Sequence, residues 1–166
     1  MTPTGRGRAV LWLGLGGLLL AAPGAAQVTR VQPKFVPKFE VMAETKLLME
    51  GLASPNYRSV QRLLKDKPPD NDTWAFIRGQ ALLTAETGNL LLLRPPRNNG
   101  RETWMKLAMD MRGKAGALAR AAAARDMARS RGALDNLTAS CNRCHQTFRV
   151  AVKVGPEAER GERDAE

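Results

Sequence analysis

Both cysteines and the single histidine of this 166-residue chain fall within five consecutive positions, Cys141-Asn142-Arg143-Cys144-His145. Two thiols three residues apart lie on the same side of one helical turn, and the imidazole follows directly. Several chemistries compete for such a cluster. Structural zinc needs four ligands, and the chain holds three candidates of the usual kind. A thioredoxin-type dithiol sits at a helix start within a βαβ unit, and no stretch here alternates apolar and polar residues convincingly. A disulfide would close a very small loop with little gain in chain entropy. The spacing matches c-type haem attachment. Each thiol adds across one vinyl group, so that Cys141 and Cys144 hold one edge of a single covalent haem c. His145 is then set beneath the iron as its proximal ligand through one ring nitrogen. The other ring nitrogen requires a hydrogen-bond acceptor, which the sequence does not name.

The elements that must carry this site read as helices. From Phe39, the residues Phe39, Met42, Met49 and Leu52 recur at near-heptad spacing, and "GLASPN" is expected to interrupt that helix. Pro55 then opens a shorter helix that ends at Pro68-Pro69. "DNDTW" supplies caps for the next helix, with Trp74, Ile77, Ala81, Ala85, Gly88 and Leu92 as one stripe. "RPPRNNG" breaks it. A third long helix, roughly Glu102–Arg125, carries Trp104, Ala108, Met111, Ala115, Leu118 and Ala122 on one face. Its alanines reflect either high helix propensity or close approach of a neighbour or a flat cofactor. A loose junction is expected at 128–132. The last helix carries Leu134, Leu137, Cys141, Cys144 and Phe148, and Gly155-Pro156 closes it. The fold class is all-α, an antiparallel four-helix bundle with haem c bound near the C-terminal helix.

An all-helical chain with "CNRCHQTFR" at the end of its last helix resembles the cytochrome c′ family, the class II c-type cytochromes, over roughly 37–152. The resemblance goes with a monohaem protein; a periplasmic location is expected because covalent haem attachment is done outside the bacterial cytoplasm, and an enzyme is not expected. The resemblance also divides the readings by distal ligand. Low-spin members take a first-helix Met as sixth iron ligand and carry electrons. High-spin members stay five-coordinate and bind NO or CO. Met49 is the first candidate for the distal iron ligand and Met42 the alternative, against the plain reading of both as core filler. Leu47, Leu48 and Leu52 would line an open distal face in the gas-binding alternative. Arg149, one turn after His145, either pairs with a haem propionate or is a solvated base. Trp74 and Trp104 either pack on the porphyrin or close the core, the second being favoured by their place at the head of each stripe. A haem peroxidase would want a distal His, and only Glu44 and Glu50 stand in for one.

Composition frames the setting. Residues 1–26, with Arg6 and Arg8 ahead of "LWLGLGGLLLAA", have the layout of a signal peptide cleaved after Ala26. The apolar run is about 14 residues, short of the roughly 20 a span requires. Expected divisions are a lead-in at 27–38, a bundle at 39–154 and a disordered acidic tail at 155–166. The formal charge of +10 falls to +8 without the two leader arginines, and since the tail is net −3 the body carries about +11. Such a body suits an acidic redox partner protein. Nucleic acid is not expected for an exported chain without a binding motif, the mature form is not expected to span a membrane, and the resemblance leaves a homodimer open.

Overall fold

In a computed structural model, residues 38–68, 70–97 and 100–155 are described. The expected signal peptide, almost all of the lead-in and the tail from Pro156 lie outside these residues. The chain divides at Lys38–Phe39 into two units, and every described helix belongs to the second.

Every regular element among the described residues is helical. A first arm is built from α1 (Thr45–Leu48), a π-helical segment (Met49–Ala53) and α2 (Ser54–Leu63). The backbone is right-handed helical at each junction, so the arm is continuous. Three long helices complete the unit: α3 (Asn71–Leu92), α4 (Arg101–Ala123) and α5 (Met127–Thr147). Four helical arms with short connections make the expected four-helix bundle.

Two expectations about the first arm are corrected. The helix begins at Thr45 rather than Phe39, because Phe39 and Met42 find nothing to cover them: they are 78% and 87% exposed. A helical turn without packing has little to hold it. The chain also does not break at "GLASPN". Pro55 lacks an N–H, and in a regular α-helix its ring would press on the carbonyl four residues back. The turn before it widens instead, with the Ser54 N–H bonding the Met49 carbonyl, five residues back.

The core follows the stripes. Ile77, Ala81, Ala115, Leu118, Ala122, Leu137 and Val60 are essentially sealed from solvent. Thr84 and Thr87 are buried beside them, and each satisfies its hydroxyl on a carbonyl one turn back. The alanine-rich helix does admit a close neighbour, and that neighbour is α3. A Cβ on Gly88 would come within 2.9 Å of Arg112 Cβ and 3.1 Å of the Ala108 carbonyl.

The caps explain the turns. Asp70 accepts the Thr73 N–H at 2.7 Å, which holds its carboxyl below the usual range. The junction between the last two helices sits at 124–126, not 128–132. Arg125 adopts φ 54° there, and the N–H groups of Arg125 and Asp126 return to Ala122 and Ala121. Asp126 then caps α5 by accepting from the Arg129 N–H.

α2 packs on α3, α3 on α4 and α4 on α5, whereas the first arm and α5 meet sparsely. That side is tied by the Tyr57 hydroxyl on Thr138 Oγ1 at 2.6 Å and by Arg131, which reaches the Leu64 carbonyl at 2.9 Å and the Lys65 carbonyl. The more loosely joined side of the bundle is thus the one between the first arm and the helix carrying the cysteines.

Candidate haem-attachment site

The last turns of α5 bring Cys141, Cys144, His145 and Phe148 together, each partly buried. Cys141 packs against the core. Both cysteines are free thiols. Burial pushes the Cys141 thiol up to about 12, with further increments from Cys144 and the nearby Asp110 carboxylate. Cys144 is raised by burial as well. Burial thus favours the protonated form of both sulfurs, and no disulfide joins them.

α4 fixes the rotation of α5 at this level. Asp110 accepts from Ser140 Oγ at 2.6 Å and from the Arg143 guanidinium at 2.5 Å. Arg143, between the cysteines, therefore points along the α4 seam. Phe148 meets Trp104 edge to face with ring centroids 5.1 Å apart. The Trp104 indole donates to the Leu91 carbonyl at 2.7 Å, linking the ends of three helices. Trp74 is buried in the core at the head of α3.

The acceptor that the sequence could not name is the Val152 carbonyl, 2.8 Å from His145 Nδ1. It gets there by a reversal. Arg149 takes φ 56°, its N–H returns to Gln146, and the Val150 N–H returns to His145. The chain then runs back along α5. Asn142 grips it with both ends of its amide: Nδ2 donates to the Val154 carbonyl at 2.9 Å, and Oδ1 accepts the Val154 N–H at 2.8 Å. With Nδ1–H donating to Val152, Nε2 is left with its lone pair, the tautomer a metal ligand requires. Arg149 is exposed, and its backbone makes the turn.

The methionines separate clearly. Met42 precedes the helix and stands in solvent, so the structure does not bring it to this region. Met49 is partly buried against the core, at the start of the π segment. Its level follows from the Tyr57–Thr138 tie. His145 is seven residues beyond Thr138, about 10.5 Å along α5 and about 20° from it around the axis. Met49 is eight residues before Tyr57, which in an unbroken α-helix would turn it about 80° away. A π segment inserts one extra residue, so the eight act as seven. That brings Met49 to about 10.5 Å and about 20° from Tyr57, the mirror of His145 on the antiparallel helix. The π segment was not legible in the sequence, although Pro55 behind a glycine and small residues was its available signal.

Other residues weighed for the distal side fall elsewhere. Leu48 is buried, Leu52 packs against the core and Leu47 is largely exposed. Glu44 is exposed, and Glu50 lies on the surface 3.7 Å from Lys46.

The residues present fit a covalent haem: two protonated thiols on one side of a helix, an imidazole with one nitrogen engaged, and a loosely joined bundle side beside them. No described helix is long and apolar enough to cross a membrane. Residues 99–149, spanning α4, α5 and the reversal at Arg149, match the family model described as Cytochrome C′. Comparison with curated proteins and with solved structures gave no match.

Proposed function

We propose that this chain, whose residues 99–149 match the family model described as Cytochrome C′, is an exported monohaem c-type cytochrome that transfers electrons, with Cys141 and Cys144 as the thioether positions and His145 and Met49 as axial ligands. When bound, the haem iron supplies a one-electron couple. The chain's part is to hold both ligands still. The observations that carry the reading are the Tyr57–Thr138 tie and the π segment, from which helix geometry sets Met49 and His145 at one level.

Rigid ligation suits electron transfer because little must rearrange between the two oxidation states. The side chains behind each ligand support such rigidity. Val152 fixes the His145 ring, and packing against the core restrains Met49. Acid–base turnover finds less support, since Glu44 and Glu50 both face solvent. The basic body favours an acidic partner protein whose docking weakens as salt rises. Covalent haem attachment is completed outside the bacterial cytoplasm, which agrees with the leader-like residues 1–26 and a periplasmic location.

The test is the spectrum of the exported haem protein. A low-spin ferric spectrum with a sulfur-to-iron charge-transfer band is expected. Met49→Ala should abolish that band and admit carbon monoxide quickly to the reduced iron, while Met42→Ala leaves both unchanged. An unchanged band in Met49→Ala, or a high-spin wild type that takes up nitric oxide or carbon monoxide at once, contradicts Met49 ligation and favours the five-coordinate gas-binding alternative.

A further inference from the structure

Asn142 is the first residue between the two cysteines, a position the attachment pattern leaves unspecified. In this chain it does something specific. Its side-chain amide forms a reciprocal pair with the backbone of Val154, at 2.9 Å and 2.8 Å. Two residues earlier in that returning segment, the Val152 carbonyl meets His145 Nδ1. Asn142 and His145 are three apart and so neighbours on one helix face. Val154 and Val152 are two apart in the returning segment, which is not helical. The spacings match, so one segment engages both side chains at once.

The segment has little else to hold the Val152 carbonyl in place. Val152 is 60% exposed and Val150 nearly half exposed. Its fixed points are the reversal at Arg149, the Asn142 amide, the partial packing of Val154 on the core, and Gly155, at φ 127°, where a Cβ would stand 3.3 Å from Thr138 Cγ2.

We propose that Asn142 is a positioning residue for the iron ligand: by clamping Val154 it holds the Val152 carbonyl on His145 Nδ1, and so sets the orientation of the imidazole and its electron density. This rests on His145 being the proximal ligand. A carbonyl that accepts from Nδ1 makes the ring a stronger donor at Nε2, which favours the ferric state and lowers the reduction potential. Releasing the segment leaves Nδ1 to mobile water, so the potential rises and ring orientations spread.

The experiment compares wild type, Asn142→Ala and Asn136→Ala, each alone and on a Val154→Pro background, which lacks the N–H that Asn142 Oδ1 accepts. Asn136 is the control because its amide bonds the Gly132 carbonyl of its own helix. Haem content is read first, from the intact mass. A haem-free wild type would overturn the function proposed above, yet leave the clamp readable by amide exchange. For Asn142→Ala alone, three results are expected. Exchange of the Val154 amide accelerates by about tenfold or more, the reduction potential rises, and the low-spin paramagnetic resonance signal broadens. Asn136→Ala changes none of these. On the Val154→Pro background the Asn142→Ala shift in potential shrinks, because part of the pair it acts through is already gone. An equal shift on both backgrounds would mean that Asn142 acts on the haem directly. Unchanged Val154 exchange, or faster exchange with an unmoved potential, would equally overturn the proposal.

Discussion

The Tyr57 hydroxyl donates to Thr138 Oγ1 at 2.6 Å, joining the first arm to α5 across 81 positions of sequence. The direction of the bond is fixed by Thr138, whose own proton goes to the Leu134 carbonyl at 2.9 Å. Tyr57 is buried and sits where the two helices otherwise meet sparsely. This bond is the reference point for the level of Met49 against His145.

Tyr57→Phe removes the donor and leaves Thr138 Oγ1 with an unused lone pair. A loss of about 1 kcal/mol is expected, read by denaturant unfolding. Thr138→Val removes that bond and its own to the Leu134 carbonyl, so it should cost at least as much, and the double variant less than the sum, because one interaction is shared. Additive losses would mean that the two groups stabilise the fold separately.

Gly88→Ala places a methyl group against Arg112 and the Ala108 carbonyl, where backbone cannot easily retreat. Crowding of this kind costs about 1–3 kcal/mol, and α3 and α4 must separate slightly. Gly79→Ala is the matched control. It has open space around its Cβ and sits inside the same helix, so it should stabilise by some tenths of a kcal/mol, up to about 1.

Arg149→Gly should stabilise the protein. A side chain at φ 56° costs about 1 kcal/mol that glycine avoids, set against the greater freedom glycine has when unfolded. The thermal midpoint is expected to rise. A clear fall would show that the guanidinium makes a contact worth more than the backbone relief, as a propionate partner would.

The raised thiols predict a pH dependence in the haem-free protein. The folded Cys141 value, about 12, lies above that of an unfolded cysteine. Its contribution to stability is therefore complete below the unfolded value, near 8.5, and is lost as pH rises towards about 12. At pH 8, iodoacetamide should label Cys144 faster than Cys141, since Cys144 is the less deeply buried of the two. Equal rates would contradict the inward placement of Cys141.

Much of this was readable from residues, and the failures have physical causes. Helix stripes exposed the bundle because large apolar side chains recur where α3, α4 and α5 bury them, from Ile77 to Leu118 and Leu137. The attachment motif was legible because its chemistry is local. Periodicity misled at Phe39 and Met42, which repeat correctly but have nothing to pack on. Proline chemistry misled at Pro55, because a helix can widen rather than stop. The role of Asn142 and of the Val152 carbonyl was out of reach. It depends on a backbone reversal at an arginine, where sequence rules look for glycine.

The central claim is that one haem is fixed to Cys141 and Cys144. Its most direct test is the mass of the peptide containing Ser140–Arg149, taken from the protein after export in a host that matures c-type cytochromes. This peptide is expected to be heavier than its sequence by one haem, coloured, and resistant to acid–acetone extraction. A colourless peptide with the mass of the bare sequence and two alkylatable thiols would contradict that claim.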